Sequence, residues 1–142
     1  MTKRFKTARC ILYREDRFLL AIHNRFWAGA RRWGLPGGQV EWGESPMTAA
    51  ARELEEELEL QVPALTEVGA YSYKRAMHMV YAAPLDRDIE TFDETELLDV
   101  RWFTESDIAR LQNEAPLHAG YELDAVRRLL TRLDADGLAA AS

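Results

Sequence analysis

Residues 38–60, GQVEWGESPMTAAARELEEELEL, put five glutamates into seven consecutive positions, 53–59, of one predicted helix. Any fold of this chain has to find a place for them. Ser45 suits the N-cap, and Pro46 suits the first helical position, where its missing N–H costs nothing. Met47, Ala50, Ala51, Leu54 and Leu58 recur at helical spacing as one apolar stripe. At about 3.6 residues per turn, Glu53, Glu56 and Glu57 fall together on the flank beside that stripe, while Glu55 and Glu59 point elsewhere. Such a face is either a solvated surface or a set of hard oxygen donors for Mg²⁺ or Mn²⁺. The electrostatics favour the second. Glu53/Glu57 and Glu55/Glu59 are like-charge pairs at i,i+4, and the charge is gathered toward the helix C-terminus, where the dipole disfavours anions. Arg52 is the one short-range cation, within reach of Glu55 or Glu56. Each mismatch costs roughly 0.2–1 kcal/mol, so the isolated helix is better without these acids, and a divalent cation reverses the sign of the effect.

The length of 142 residues suits one domain (1–142) with a core of its own. Apolar residues at 47% and charged residues at 30% describe a soluble globular chain. A net charge of −6 argues against a nucleic-acid backbone or an anionic membrane as the main partner, and an acidic protein that handles phosphates needs cations to do so. The single cysteine, Cys10, allows no intramolecular disulfide and fits a reducing cytoplasm; its apolar surroundings read as a buried thiol. Lys3, Arg4 and Lys6 resemble the start of a signal segment, but Arg9 and Arg14 interrupt the apolar run after them, and no apolar run reaches membrane-spanning length.

In chain order, Thr7 to Tyr13 and Phe18 to Ile22 read as strands of a hairpin turning at Glu15-Asp16-Arg17. His23 to Gly34 reads as a loop. Its Arg25, Arg31 and Arg32 are either phosphate contacts or a solvated basic stretch, and its Phe26 or Trp27 either stacks on a base or serves as core or lid. Leu65 to Tyr73 and Met77 to Ala83 predict a second hairpin, the latter with Met77, Met79, Tyr81 and Ala83 on one face. Asp86 to Glu96 is an acidic loop, and Leu97 to Phe103 a short strand with Leu98, Val100 and Trp102 alternating. Thr104 or Ser106 caps a helix to about Leu111; a clear amphipathic helix runs from Tyr121 to Leu133, ended by Asp136-Gly137 before a fraying alanine-rich tail. The order of elements licenses an α+β or mixed α/β class.

The residue types present narrow the chemistry. With Cys10 buried and no serine in a recognisable elbow, water is the nucleophile. A divalent metal on Glu56 and Glu57 neutralises phosphate oxygens and lowers the pKa of bound water; Glu53, one turn away, either ligates or accepts the proton. Arg52 orients a carboxylate. Gly37 and Gly38 allow close backbone approach to metal or phosphate.

Residues 38–60 also resemble the Nudix box, G-x5-E-x7-R-E-U-x-E-E-x-G-U with U a bulky apolar residue. Gly38, Glu44, Arg52, Glu53, Leu54, Glu56, Glu57 and Leu60 match; Glu59 stands where the box has glycine. Leu35-Pro36-Gly37 leads in as it commonly does, and Glu96 to Phe103, ELLDVRWF, is similar to a segment that recurs after the sheet. The resemblance covers about Thr7 to Leu111. It implies a mixed β-sheet sandwiched between helices and a Mg²⁺-dependent (or Mn²⁺-dependent) hydrolase that cleaves a phosphoanhydride of a nucleoside diphosphate linked to another group. It implies the Gly37 carbonyl as a further metal ligand and Glu96 as base or extra ligand, against the alternative of a solvated acidic loop. Which carboxylate is the base stays open. Arg75 stands where ADP-ribose hydrolases often carry proline, and Ala76, Met77 and His78 where diadenosine-polyphosphate hydrolases tend to have tyrosine, which leaves nucleoside triphosphates favoured. The partner is then a small nucleotide, and a homodimer is compatible with the chain. The rival is a nucleotide-sensing domain without catalysis, for which Glu59 is the one internal sign.

Overall fold

The computed structural model describes residues 4–24 and 31–141, apart from the side chains of 137–141. In chain order they form β1 (Phe5–Arg14), β2 (Arg17–His23), β3 (Trp33–Gly34), β4 (Gly37–Gln39), α1 (Pro46–Leu58), β5 (Thr66–Tyr73), β6 (Ala76–Pro84), β7 (Leu97–Thr104), α2 (Glu105–Glu114) and α3 (Glu122–Ala141). The strands make one seven-stranded mixed sheet of order β3-β2-β1-β6-β5, with β4 also on β1 and β7 also on β2.

β1 is apolar on both faces because both are covered, as a central strand requires. Ala8, Cys10 and Leu12 pack with Ala49, Ala50, Leu54 and Leu58 of α1. Ile11 packs on the opposite side with Ile108 of α2 and Leu123, Val126 and Leu129 of α3. The sheet is therefore sandwiched between helices, as expected. β6 repeats the division: Met79, Tyr81 and Ala83 face α1, and Val80 and Ala82 face α3. Truncating a fully buried contact such as Leu54 to alanine costs about 2–5 kcal/mol.

What positions the site is a fork in this sheet. β1 runs parallel to β6 along one edge. On its other edge it meets β2 through Tyr13↔Phe18 and Arg14↔Arg17, then pairs with β4 through Thr7↔Gln39, Ala8↔Gly38 and Arg9↔Gly37. β2 pairs instead with β3 through Ala21↔Gly34 and Ile22↔Trp33. The two strands thus part after the hairpin. The 35–36 segment crosses between them, with Cys10 N–H donating to the Pro36 carbonyl at 2.9 Å.

Several expectations change. The 23–34 loop ends in a strand, and the glycine turn is itself the strand β4, because each supplies ladder partners to one arm of the fork. Met47 is 46% exposed, and the buried face of α1 carries Glu57 in its place, so the helix is rotated from its apolar stripe toward an acid. In β7, Leu97 is buried and Leu98 exposed. A bulge opposite Ile22 and His23 breaks the alternation there. α2 starts at the Thr104 cap, with Asp107 completing a capping box. α3 runs through Gly137 to Ala141; one helical glycine costs about 1 kcal/mol, and the flanking alanines are the best helix formers.

Candidate active site

The inner end of α1 lies over the fork. Glu57 is 1% exposed, and both its oxygens are engaged: Oε1 accepts from the Gly37 N–H at 2.8 Å, and Oε2 sits 3.0 Å from His23 Nε2 at the end of β2. An ionised carboxylate only accepts, so Nε2 carries the proton. The 3.4 Å approach of Arg9 Nη1 to that same nitrogen is then a packing contact between two donors. Arg9, itself buried, donates to the carbonyls of Leu35 and Gly37 at 3.2 Å each. A buried cation and a buried anion thus face one another through a histidine and the backbone of the box turn.

Gly37 and Gly38 are obligatory here. Gly37 has φ +136°, and a Cβ on it would lie 2.3 Å from the Ala8 carbonyl oxygen. A Cβ on Gly38 would lie 2.6 Å from the Glu53 carboxyl carbon. Only bare backbone lets that carboxylate rest against β4.

Arg52 orients carboxylates, as the sequence suggests, but its main partner is Glu44: Nε donates to Oε2 at 2.8 Å and Nη2 to Oε1 at 3.0 Å. Nη1 reaches Glu53 at 3.0 Å and Glu56 at 3.2 Å, and Nη2 also donates to the Gln39 carbonyl at 3.0 Å. The forked bond from Arg52, with help from the Glu41 N–H, holds the Glu44 carboxyl down at about 2. Glu53 moves the other way. Burial, and then the charge of Glu57, push its carboxyl above the ordinary range, offset in part by Arg52.

A cleft of about 250 Å³ opens at this point, lined by His23, Asn24, Gly37, Gly38, Gln39, Glu41, Glu53, Glu57 and Glu96. Glu96 is carried there by β2 and β7: its carbonyl accepts from the Asn24 N–H at 2.9 Å. Asp93 anchors the same loop by donating its N–H to the Glu57 carbonyl and accepting from Thr95. Arg31 and Arg32 are exposed and do not line the cleft. Arg25, Phe26 and Trp27 lie outside the described residues. Arg9 and His23 carried no functional reading in the sequence. Their signal was a charge inside the apolar run 7–13 and a histidine at the end of the next one, polar groups where a two-faced strand should be apolar.

The donors fit a divalent cation in kind: Glu53 and Glu57 crowd one cleft as like charges, and the burial that raises Glu53 is what a cation relieves. Glu56 is exposed and tied to Arg52 rather than turned inward, and among the described residues no three acid, histidine or cysteine side chains are gathered as a ready-made metal cage. The Gly37 carbonyl keeps a second lone pair besides the one that meets Arg9. Glu59, at the box-glycine position, takes the left-handed conformation a glycine would take there, φ 57° and ψ 36°, and its N–H closes the helix on the Glu55 carbonyl. Its carboxylate accepts from Thr91 Oγ1 at 2.8 Å.

This is an α+β sandwich with an acid-lined cleft in the fork of its sheet, and known proteins share both the sequence and the fold. The family described as NUDIX domain matches residues 3–123. The chain is 31% identical over 124 residues to diphosphoinositol polyphosphate phosphohydrolase 2 of Rattus norvegicus, covering 82% of this chain and 68% of that one. It is 31% identical over 118 residues to a MutT-like protein of Streptomyces ambofaciens, covering 82% and 73%. A C. elegans Ap4A hydrolase structure superposes with a TM-score of 0.74 at 21% identity, over 92% of this chain and 99% of that one. The chain belongs to the Nudix family. It is a hydrolase of that family, and no helix among its described residues is long and apolar enough to cross a membrane.

Proposed function

We propose that this hydrolase cleaves a phosphoanhydride bond in a nucleoside diphosphate linked to another group, in a reaction that depends on Mg²⁺ or Mn²⁺ and uses water as nucleophile. The observation that carries the reading is the cleft itself: Glu53, Glu57 and Glu96 line it, and no serine, threonine, cysteine or lysine does so among its described residues. Cys10 lies in the core under α1, its thiol pushed far up by burial. The relatives' names, a diphosphoinositol polyphosphate phosphohydrolase and an Ap4A hydrolase, both describe hydrolysis of phosphate compounds.

A divalent cation held by Glu53, Glu56 and Glu57, with the Gly37 carbonyl, would neutralise the charge of the phosphate oxygens. The rest falls to the chain. Water oxygen bonds to phosphorus, the bridging oxygen leaves with the electron pair of the broken anhydride bond, and the water's proton passes to a cleft carboxylate. Glu53 suits that role, because burial and the charge of Glu57 raise its proton affinity toward the working range of a general base. Glu96, which lines the same cleft, is the second candidate. Arg52 and Gly38 hold Glu53 in place, and His23 and the Gly37 N–H hold Glu57.

The test is a panel of nucleoside diphosphate derivatives and triphosphates with Mg²⁺ or Mn²⁺ in ¹⁸O-labelled water. Label is expected in a phosphate product, with turnover abolished by chelation. Glu56→Gln and Glu57→Gln should each lower turnover by about 10²–10³-fold, the rate equivalent of several kcal/mol, while Glu55→Gln should change little. Equal losses from all three would mean that helix stability is being read. Glu96→Gln indistinguishable from wild type at every pH would remove Glu96 from the chemistry.

A further inference from the structure

Gln39 lines a second cavity as well as the cleft. This one holds about 150 Å³ and is bounded by strands β1, β5 and β6 and by the segment leading into α3. Its charge is opposite to that of the cleft. Lys6, Arg9, Lys74 and His118 line it, and no carboxylate does. Arg9 is 5% exposed, so the cavity floor carries a fixed cation. Among the described residues neither lysine makes an ion pair, whereas Arg9 is held by the Leu35 and Gly37 carbonyls and feels the charges of Glu57 across the box turn and of Glu122. Glu122, nearby in the chain, turns its carboxylate onto the amides of Ala119 and Gly120 at 2.9 and 2.7 Å. In a chain of net charge −6, Lys6, Arg9 and Lys74 gathered at one cavity call for an anion.

The backbone supports the same conclusion independently. The two-residue turn between β5 and β6 is Lys74-Arg75, with φ of 49° and 62°. Such turns favour Asn-Gly, and long side chains are strained there. Strain of this kind collects at ligand clamps. Here it sets Lys74 at the cavity mouth, its Nζ 5.4 Å from the centroid of the Tyr73 ring.

The aromatic walls do not form a slot for a base. Tyr73 lies tilted against His78 and His118, with centroids 5.8 and 6.4 Å away, and Tyr121 is already stacked on Tyr71 at 5.1 Å. Their polar atoms are used internally. Thr7 Oγ1 lies 2.6 Å from His78 Nδ1, His78 Nε2 faces the Tyr73 carbonyl at 3.1 Å, and the Tyr73 hydroxyl donates to the His118 carbonyl. What the cavity still offers a ligand is positive charge. Ligand pockets that enclose a whole drug-sized molecule run to roughly 300–1,000 Å³, so this one takes a single substituent.

We propose that the cavity binds a phosphate monoester of the substrate, borne away from the scissile anhydride, with Lys6 and Lys74 as specificity-determining residues over the fixed charge of Arg9. The proposal rests on the reading of the cleft as the hydrolytic site, and it narrows the substrate class to nucleoside diphosphate derivatives that carry a further phosphate.

The test uses equilibrium binding to the full chain in EDTA, so that turnover does not enter. Inorganic phosphate should bind saturably, shift the amide resonances of Lys74 and His118, and bind about tenfold more weakly to the Lys6→Gln/Lys74→Gln double variant, as expected for the loss of charge-assisted contacts. Both lysines are exposed, so the double variant should fold. Two matched pairs then distinguish substrate from free anion: ADP against adenosine 3′-phosphate 5′-diphosphate, and ADP-ribose against ADP-ribose 1″-phosphate. In at least one pair the extra phosphate should tighten binding about tenfold, and the double variant should lose that preference. Phosphate binding that ignores the lysines overturns the proposal. So does lysine-dependent phosphate binding with equal affinities in both pairs, which would make the cavity a free-anion site. Hydrolysis with Mg²⁺, measured separately, bears on the cleft alone.

Discussion

The inward and outward glutamates of α1 are neighbours in sequence and opposites in circumstance. Glu57 is buried, with one oxygen on a backbone N–H and the other on His23. Glu53 is partly buried against Gly38 and pushed up by burial and by Glu57. Glu55, Glu56 and Glu59 are exposed, and the last two are held by an arginine and a threonine hydroxyl. The same side chain is thus a desolvated, oriented donor on one face and a solvated charge on the other. Desolvation makes the difference. A carboxylate stripped of water gains far more from a cation than one left in it, so a cation in the cleft would draw most on Glu53 and Glu57, with Glu56 as a further ligand from the exposed edge of the same flank, while Glu55 and Glu59 supply little.

The sharpest way to break this contrast is to delete one acid from each face. Glu57→Ala leaves Arg9 and His23 facing a hole where a counter-charge stood, and should destabilise the protein by about 3–5 kcal/mol. Glu56→Ala should stay within about 0.5 kcal/mol. Urea unfolding of both variants in EDTA reads this directly, and comparable losses would mean the faces are not different. The next effect is smaller. His23→Leu removes the group that orients Glu57 Oε2, and should weaken Mn²⁺ binding by about 10–100-fold, whereas His23→Gln keeps an N–H donor and most of the affinity. Calorimetric titration with Mn²⁺ measures both, and equal affinity in His23→Leu and wild type would strip His23 of its positioning role.

The acidic flank of α1 was legible in the sequence, and the roll that turns it onto the sheet was not. Helical spacing places Glu53, Glu56 and Glu57 on one flank, and so they are as far as helical phase goes. Phase alone does not show that the helix rolls until Met47 faces solvent and Glu57 the sheet. That rotation is set by Ala49 and Ala50, whose small side chains let α1 sit close on β1, and by the bond of Glu57 to the Gly37 N–H. Both hairpins and the Ser45 and Thr104 caps could be read because they rest on local turns and apolar periodicity, whereas the sandwich of helices came only from the resemblance to the Nudix box. The parallel pairing of β1 with β6, about seventy residues apart, has no local signature. Neither does the fork that brings Arg9, His23 and Glu57 together. The Leu97/Leu98 assignment failed for the same reason, since a bulge is a property of two strands.

Titration sharpens the comparison further. Glu53 is raised, so below its unfolded value near ~4.3 both states are protonated and the burial penalty is absent; as pH rises through the folded value, the native state loses stability. Glu44 has the opposite sign. Arg52 holds it at about 2, so its stabilising effect is present above ~4.3 and is lost as pH falls toward 2. In EDTA, Glu53→Gln should therefore raise the melting temperature at pH 8, by about 2–4 °C for each kcal/mol relieved, and the gain should vanish near pH 4. Glu44→Gln should lower it at pH 7. Scanning calorimetry from pH 4 to 8 tests both, and a Glu53→Gln variant that melts lower throughout would show that its bond to Arg52 outweighs the crowding.

The smallest effect belongs to Glu59, the outward acid in the left-handed conformation. A non-glycine residue there costs about 1–2 kcal/mol in backbone energy, and a hydrogen bond to a charged group returns about 1.5–3 kcal/mol at most, less at an exposed position. The two terms nearly cancel, so Glu59→Gly should change stability by no more than about 0.5 kcal/mol while leaving turnover intact. The cancellation can be taken apart. In a Thr91→Val background the compensating bond is already gone, and there Glu59→Gly should stabilise by about 1 kcal/mol, the strain released. A double-mutant cycle by urea unfolding measures the coupling. No gain in the Thr91→Val background would mean that the glutamate sits at this position without strain and that Thr91 compensates for nothing.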